Sequence, residues 1–390
     1  MASPLPRPCG LALALALVHC GARSELIVPP PPIVLALGGS HSCARMPDRS
    51  VRCWGHNTHG ELGDGTTTTR TRPTPVLSLA DIAQVATGQN HACALERSGS
   101  VMCWGGNAAG MLGDGTMVDH AIPAPVVDLA NVARIAVGGN DTSCAVLRDG
   151  TVRCWGNDSW RAMAMPDGDG GLTFNRDDND ICLVGPPRAD AGASGFSCRM
   201  RPRVIRGVDD ATDVAINEVS ACALRRDGTV RCWGEIDRSP FSTFERAAIP
   251  LRALSDVVQI AMIELSGCAR DRAGVVRCWG NLGGNRVDAD GPVPQRVDAL
   301  DGATAIALEL GAVCALRTDR SVRCFANGGF APPAVVDLPE LRGATSIAAG
   351  YAHLCATFGG DDVRCEGENE NGQLGVGTVD PVVGAVGVRW

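Results

Sequence analysis

The chain has 390 residues, a formal net charge of −8, and 35 basic against 43 acidic residues. This balance argues against a nucleic-acid surface, because neutralising phosphates requires an excess of basic side chains. The only long apolar run, residues 11–18, is too short to span a bilayer.

The N-terminal residues 1–22 are typical of an export signal. One positive charge, Arg7, precedes the apolar run 11–18, which has the length of a signal-peptide core. We therefore expect an exported protein, either secreted or held in the cell envelope of a bacterium. Cysteine is also abundant, with 18 residues, which is unusual in a reducing cytosol.

Two ways of processing this leader remain open. Residues 17–21 resemble a lipoprotein box in which Cys20 would be lipidated, although His19 stands where a small residue is usual. Cleavage after Ala22 would instead release a free protein. Residues 23–32, which end in four prolines, predict a stiff spacer.

Seven cysteine pairs recur along the rest of the chain. The members of each pair are ten positions apart, and Trp-Gly or its remnant follows the second cysteine. Successive first cysteines are separated by 50, 51, 78, 46, 46 and 41 residues. A period of about 40–50 residues built from short strands and turns is typical of β-propellers. The pairs are Cys43 and Cys53, Cys93 and Cys103, Cys144 and Cys154, Cys222 and Cys232, Cys268 and Cys278, Cys314 and Cys324, and Cys355 and Cys365.

Each cysteine pair predicts a β-hairpin. In the second unit, pairing Cys93 with Cys103 places Leu95 opposite Val101 and leaves a three-residue loop that ends in Gly99. Glycine takes the left-handed conformation that such loops need. In this register the cysteines form a non-hydrogen-bonded pair with Cα atoms about 4.5 Å apart, which a disulfide can span. We expect one cross-strand disulfide per hairpin, with buried free thiols as the alternative.

Proline marks the remaining strands of each unit. Pro125, for example, precedes a short apolar stretch, and a second run follows at 132–139. Proline suits the start of a strand or the edge of a sheet. Residues 33–390 therefore predict an all-β, seven-bladed β-propeller of four-stranded blades. Because the first unit begins without a proline-led strand, we expect the C-terminal segment 381–390 to complete the first sheet and close the ring.

The second unit also carries an extended motif. Residues 88–95 read Gly-Gln-Asn-His-Ala-Cys-Ala-Leu, and residues 103–116 run from Cys-Trp-Gly-Gly-Asn to Met-Leu-Gly-Asp-Gly-Thr. This unit resembles the regulator of chromosome condensation repeat family, and residues 61–66 and 373–378 repeat its second half. The resemblance spans roughly residues 33–390. It implies a seven-bladed propeller, and the cysteine pairs look like those of exported bacterial members.

The resemblance implies several functions. Nuclear members of the family exchange nucleotide on a small GTPase, whereas some secreted bacterial members inhibit β-lactamases with loops on the ring face. We expect a non-catalytic, monomeric binding protein that captures a protein or another macromolecule with loops of blades 3–6, binds no nucleic acid, and reaches a membrane only through a lipid on Cys20. The alternatives are an inhibitor of a secreted or periplasmic enzyme such as a β-lactamase, a lyase or hydrolase in the central channel, and a guanine-nucleotide exchange factor, which the export signal disfavours.

The third unit contains an insertion, at about 157–201. It holds a further pair, Cys182 and Cys198, which we expect to form a disulfide, since a small excursion lacks a core of its own. Acidic residues crowd the same insertion, so calcium is conceivable. Their spacing departs from the calcium-loop pattern, and we expect no metal and no cofactor. The acidic residues are Asp167, Asp169, Asp177, Asp178 and Asp180.

Six aromatic residues lie outside the repeat frame, in segments that follow the third strand of units 3, 4 and 6. Equivalent segments of nearby blades should emerge on one face, where aromatic side chains are typical anchors of protein interfaces. The alternative is that they fill gaps left by the lost Leu-Gly-Asp-Gly-Thr motif. The six are Trp160, Phe174, Phe196, Phe241, Phe244 and Phe330.

Two sets of repeated side chains predict structural roles. His41, His91 and His353 share one position before the first cysteine, and we expect them to pack or hydrogen-bond there rather than bind a ligand in the channel. The tryptophans that follow the second cysteine should lie in the core between blades. They are Trp54, Trp104, Trp155, Trp233 and Trp279, with Phe325 in the sixth unit.

Overall fold

The computed structural model describes residues 32–139, 141–157, 181–184, 196–234, 245–284, 287–288, 291–327, 332–382 and 384–390. These residues form the seven antiparallel blades of a propeller, with 3-10 turns at Asn281–Gly283, Asp298–Leu300 and Pro339–Leu341. The innermost strands contact one another in order around the ring, and the last contacts the first. The predicted fold class is confirmed. None of the helices in the described ranges is long and apolar enough to cross a membrane.

Blades 1 and 2 follow the simplest pattern, in which four strands pair in chain order from the axis outward. Blade 1 consists of β1 (Val34–Leu37), β2 (His41–Arg45), β3 (Val51–Gly55) and β4 (Arg70–Pro75). Blade 2 consists of β5 (Ile82–Thr87), β6 (His91–Glu96), β7 (Val101–Gly105) and β8 (His120–Pro125).

Blade 3 has a fifth strand that pairs on the outer side of the fourth. It consists of β9 (Val132–Val137), β10 (Thr142–Leu147), β11 (Val152–Asn157), the added β12 (Ile181–Val184) and β13 (Phe196–Val204). Blade 4 returns to four strands and consists of β14 (Ala211–Ile216), β15 (Ser220–Arg225), β16 (Val230–Gly234) and β17 (Glu245–Pro250).

Blades 5, 6 and 7 complete the ring, and a small separate hairpin of two-residue strands precedes the outer strand of blade 5. Blade 5 consists of β18 (Val257–Ile263), β19 (Ser266–Asp271), β20 (Val276–Gly280) and β23 (Gln295–Arg296), with β21 (Val287–Asp288) and β22 (Gly291–Pro292) as the hairpin. Blade 6 consists of β24 (Ala303–Glu309), β25 (Ala312–Arg317), β26 (Val322–Ala326) and β27 (Ala334–Asp337). Blade 7 consists of β28 (Ser346–Ala349), β29 (His353–Gly359), β30 (Asp362–Gly367) and β31 (Val386–Gly387).

A disulfide joins the second and third strands of every blade, and the seven pairs are those expected from the sequence. Their Cα atoms lie 4.0–4.1 Å apart. Closing a loop of this length stabilises the folded state by roughly 2–3 kcal/mol. The bonds join Cys43 to Cys53, Cys93 to Cys103, Cys144 to Cys154, Cys222 to Cys232, Cys268 to Cys278, Cys314 to Cys324, and Cys355 to Cys365.

The hairpin registers agree with this pairing. Leu95 stands opposite Val101 in blade 2, as the sequence predicts. In the insertion of blade 3, Cys198 is disulfide-bonded, and the register places Cys182 directly across from it.

The apolar core lies between the blades. Trp155 of blade 3 is fully buried against Leu112, and its Nε1 donates to the carbonyl oxygen of Met111 in blade 2 at 2.9 Å. Gly113 makes room for the indole, because a Cβ there would lie 2.7 Å from Nε1. The equivalent bonds run from Trp104 to the Glu61 carbonyl and from Trp54 to the Gln373 carbonyl, both at 2.8 Å.

The C-terminal segment differs from the expectation in one respect. Its strand β31 pairs with β30 of blade 7, and blade 1 already has four strands of its own, so the prediction that it completes the first sheet was wrong. The reason is that the strand near each repeat's proline is the outer strand of the blade that precedes it in the chain. The expected position of the proline was also wrong in blades 1, 2 and 4, where Pro75, Pro125 and Pro250 end the outer strand instead of starting it. The segment still joins the two ends of the ring, because the Trp390 ring packs edge-on against Trp54 of blade 1 at 5.9 Å.

This contact predicts that Trp390 stabilises the closed ring. We expect Trp390→Ala to lower the free energy of unfolding by about 2 kcal/mol, since a partly buried indole and its hydrogen bond to the Asp361 carbonyl are both lost. Trp390→Phe keeps the ring contact and should lose about half as much. Urea unfolding followed by circular dichroism measures both, with the exposed Val379→Ala as the control. An unchanged midpoint for Trp390→Ala would contradict this role.

Candidate functional site

One face of the ring carries two sets of segments. In every blade the turn between strands one and two and the segment after strand three emerge on the same side, because the strands are antiparallel. Backbone hydrogen bonds join the two sets, for example from Asn157 N to Asp141 O in blade 3 and from Glu368 N to Ala352 O in blade 7, both at 2.9 Å. We call this side the channel-mouth face, because the axial cavity opens among these turns.

The axial cavity has a volume of about 180 Å³. All seven blades contribute to its wall, mainly through the ends of their innermost strands and the glycines that follow them. Wall residues, one from each blade, are Gly38, Gly88, Gly138, Asn217, Glu264, Leu308 and Tyr351.

Tyr351, the single tyrosine of the chain, crosses this cavity. Its hydroxyl donates to Glu218 Oε1 of blade 4 at 2.8 Å, and its ring lies against Gly139 of blade 3, where a Cβ would overlap the hydroxyl. Its backbone N–H donates to the Gly38 carbonyl of blade 1, and its carbonyl accepts from Leu310 N–H of blade 6. One residue therefore links blades 1, 3, 4, 6 and 7 around the axis.

The surroundings of Tyr351 are acidic and partly desolvated. Burial raises the pKa of the Tyr351 hydroxyl well above its usual range, and the hydrogen bond to Glu218 adds to the shift. Burial likewise raises the pKa of Asp141 in blade 3 and of Glu309 at the end of β24. Carboxyl groups in such surroundings interact strongly with hydrogen-bond donors and cations. Within the described ranges, no cluster of three or more His, Cys, Asp or Glu side chains is arranged to hold a metal ion.

Most of the predicted interface residues lie outside the part of the chain that the structure describes. Trp160, Phe174, Phe241, Phe244 and Phe330 lie outside the described residues, as do Cys20 and the five aspartates of the insertion. Phe196 begins strand β13, where the structure describes the backbone only. These residues stay predictions.

The repeated residues lie where the sequence suggested. The five tryptophans are buried between blades, each at most 3% exposed, and Phe325 is partly buried in the same kind of cluster. The side chains of His41, His91 and His353 are fully buried at blade junctions rather than in the channel wall. Sequence reasoning missed Tyr351 and Glu218. The one signal in the sequence was that the chain has a single tyrosine.

Two family models match the first three blades. Both describe the regulator of chromosome condensation (RCC1) repeat, one at residues 50–95 and the other at 34–61, 82–110 and 132–159. The chain therefore contains RCC1 repeats in these blades, as its resemblance to that family predicted. A comparison with curated protein sequences finds no match.

Solved structures share the fold of this RCC1-repeat chain. Prp20p from Saccharomyces cerevisiae, a protein with binding properties toward Gsp1p and histones, superposes with a TM-score of 0.66 at 19% identity, covering 92% of this chain and 86% of its own. Human WBSCR16 has a TM-score of 0.62 at 18% identity, covering 84% and 87%. The CRINKLY ectodomain of the Arabidopsis thaliana receptor kinase ACR4 has a TM-score of 0.52 at 16% identity, covering 91% and 99%. At these identities the likeness concerns the fold alone.

The contact across the axis predicts energetic coupling between blades 3 and 7. Gly139→Ala should lower the free energy of unfolding by about 1–3 kcal/mol, because the added methyl displaces the Tyr351 ring. The same substitution in a Tyr351→Ala background should cost much less. A double-mutant cycle by urea unfolding measures the coupling, with Tyr351→Phe isolating the hydroxyl, and additive effects would contradict a direct contact.

Proposed function

We propose that this RCC1-repeat propeller is a non-catalytic, exported binding protein that captures a protein partner with the channel-mouth face, chiefly through the segments after the third strands of blades 3–6. One observation carries the proposal. These segments lack the Leu-Gly-Asp-Gly-Thr or Leu-Gly-Val-Gly-Thr motif that folds the equivalent segment onto blades 1, 2 and 7. The hairpins from which they start are fixed by disulfides.

The motif's packing role is visible in blades 1, 2 and 7. The side chain of Asn57 accepts from Leu62 N–H at 2.9 Å and donates to the carbonyls of Thr66 and Thr68 at 3.1 and 3.0 Å, which folds the segment onto the blade. Asn107 and Asn369 make the same type of contact. The sequence that these asparagines hold, Leu-Gly-Asp-Gly-Thr or Leu-Gly-Val-Gly-Thr, is missing from units 3–6.

The segments that lack the motif begin at the channel mouth. In blade 3, Thr142 Oγ1 donates to the Asn157 carbonyl at 3.0 Å, directly before the insertion. In blades 5 and 6, Asn281 N–H donates to the Leu265 carbonyl and Asn327 N–H to the Gly311 carbonyl. Loops on a rigid scaffold are the usual place for binding residues, so this placement supports a binding role.

Compartment and relatives support the same class of function. The seven described disulfides indicate an oxidising environment, which agrees with the proposed leader at residues 1–22. Prp20p, a propeller of the same fold, binds Gsp1p and histones. It supports protein binding as the task of the ring, and at 19% identity it assigns no particular partner.

A capture experiment tests the location of the binding surface. We expect the mature protein, immobilised, to retain a specific partner from the envelope and secreted fractions of its own cells. The triple variant Trp160→Ala, Phe241→Ala, Phe244→Ala should lose it, because aromatic anchors carry most of the energy of an interface. Mass spectrometry identifies the retained protein, and thermal unfolding checks that the variant is folded.

The opposite face supplies the matched control. Arg97, Arg148 and Arg272 lie in the turns between strands two and three, on the other side of the ring. Their triple alanine variant should retain the partner as the wild type does. Retention by the aromatic variant, or loss by the arginine variant, would place the binding surface elsewhere.

The intact mass of protein isolated from its native cells tests export and anchoring. Removal of residues 1–19 with a lipid increment on Cys20 is expected for an envelope lipoprotein, and cleavage after Ala22 for a secreted one. A mass that includes Met1 and the whole leader would contradict export.

A further inference from the structure

Three consecutive blade junctions contain a buried histidine at the same position. His353, His41 and His91 begin the second strands of blades 7, 1 and 2, and their side chains are fully buried. The corresponding residues of blades 3–6 are Thr142, Ser220, Ser266 and Ala312.

Two of these histidines bond across the junction to a serine of the next blade. His353 Nε2 lies 2.8 Å from Ser42 Oγ, and His91 Nε2 lies 2.8 Å from Ser143 Oγ. Each serine hydroxyl donates its own proton to a carbonyl, Ser42 to Gln373 at 2.8 Å and Ser143 to Met111 at 3.1 Å. The serine oxygen is therefore the acceptor, and Nε2 carries the proton in the neutral ring.

This arrangement leaves no place for a second proton. Nδ1 of His91 and Nδ1 of His353 have no hydrogen-bond partner among the described residues. Protonation would add a charge and an unpaired donor to a site without solvent, which is costly.

The junction between blades 1 and 2 is the exception within this set. Ala92 stands where Ser42 and Ser143 stand in their blades, and neither ring nitrogen of His41 has a partner among the described residues. The titratable groups whose charges act on His41 are Glu61, His353 and His56, and the charge of His41 in turn acts on His91. The Glu61 carboxylate is already occupied by His56 Nδ1 at 2.9 Å and by His59 N–H at 2.8 Å.

We propose that these three junctions are an acid switch built into the ring: protonation of the buried histidines loosens the contacts between blades 7, 1, 2 and 3, and the junction between blades 1 and 2 opens first.

The direction of the pH effect follows from linkage. Burial lowers the pKa of His41 and His353 to about 4 and that of His91 to about 3, whereas the unfolded chain titrates near pH 6.5. Above pH 6.5 these histidines are neutral in both the folded and the unfolded chain and do not affect the free energy of unfolding. As the pH falls from about 6.5 toward 4, only the unfolded chain binds protons, so the folded ring loses stability. The half-buried carboxyls Asp141 and Glu309 have raised pKa values and act in the opposite direction.

Urea unfolding of the full chain at pH 7.5 and pH 5.0 tests the switch. Each histidine with a pKa near 4 should reduce the folding equilibrium constant about 30-fold between these pH values. His353→Gln and His91→Gln, which can keep a donor near the serine, should each remove a comparable part of this acid sensitivity. His59→Gln is the control, because His59 is exposed and Asp119 raises its pKa, so its loss should not reduce acid sensitivity. Glutamine variants with the full acid sensitivity of the wild type would overturn the proposal.

Two further measurements keep the test decisive if a variant does not fold. In the wild type, NMR should show His41, His91 and His353 still neutral at pH 5, whereas titration of these three side chains near pH 6.5 would overturn the switch. Ala92→Ser supplies the missing hydroxyl, so at pH 5 it should raise hydrogen-exchange protection in β2 and β6 but not in β15. Equal protection in the variant and the wild type would overturn the assignment of the first junction to open.

Discussion

A four-stranded blade has two apolar faces and can cover neither alone, so each blade depends on its neighbour. The indole of Trp155 illustrates the dependence: it is fully buried against the preceding blade and donates to the carbonyl of Met111. The same bond recurs where Trp54 meets blade 7, across the seam between the chain ends. Because stability resides in the junctions, whatever weakens one junction weakens the closed ring.

Blades 3–6 keep the core and the disulfide of the repeat although they lack part of its sequence motif. They lack the Leu-Gly-Asp-Gly-Thr segment, yet Trp233 and Trp279 are as buried as the tryptophans of the intact repeats. The disulfides are present in all seven blades, including these four. Each cross-strand disulfide joins the second and third strands of its blade and does not involve the segment that follows. The hairpin is therefore held whatever the sequence of that segment. This separation of the disulfide-linked hairpin from the variable segment is the physical basis for the binding role that we propose for the channel-mouth face.

What the sequence predicts well is local. Cys93 and Cys103 are ten residues apart, so one hairpin register decides their contact, and seven repetitions decide the blade number. The assignment of the C-terminal segment to blade 1 failed because the sequence near each proline does not show whether its strand pairs with the preceding or the following sheet. The contact of Tyr351 with Glu218, 133 residues away, needs the assembled ring and leaves no local pattern. The six interface aromatics were named because they lie outside the repeat frame in equivalent segments of nearby blades, and five of them lie outside the described residues.

The two halves of the ring are suited to different tasks. Blades 7, 1 and 2 keep both the packed motif and the buried histidines, so their junctions are tightly specified and sensitive to protons. Blades 3–6 have smaller side chains in place of the histidine and lack the Leu-Gly-Asp-Gly-Thr sequence. Tyr351 joins the halves, because it belongs to blade 7 and bonds to Glu218 of blade 4. The Tyr351–Glu218 hydrogen bond therefore connects the histidine junctions to the face proposed for binding. The disulfide-linked hairpins of blades 3–6 fix the strands from which the variable segments start, and a scaffold organised in advance lowers the entropy cost of the proposed binding.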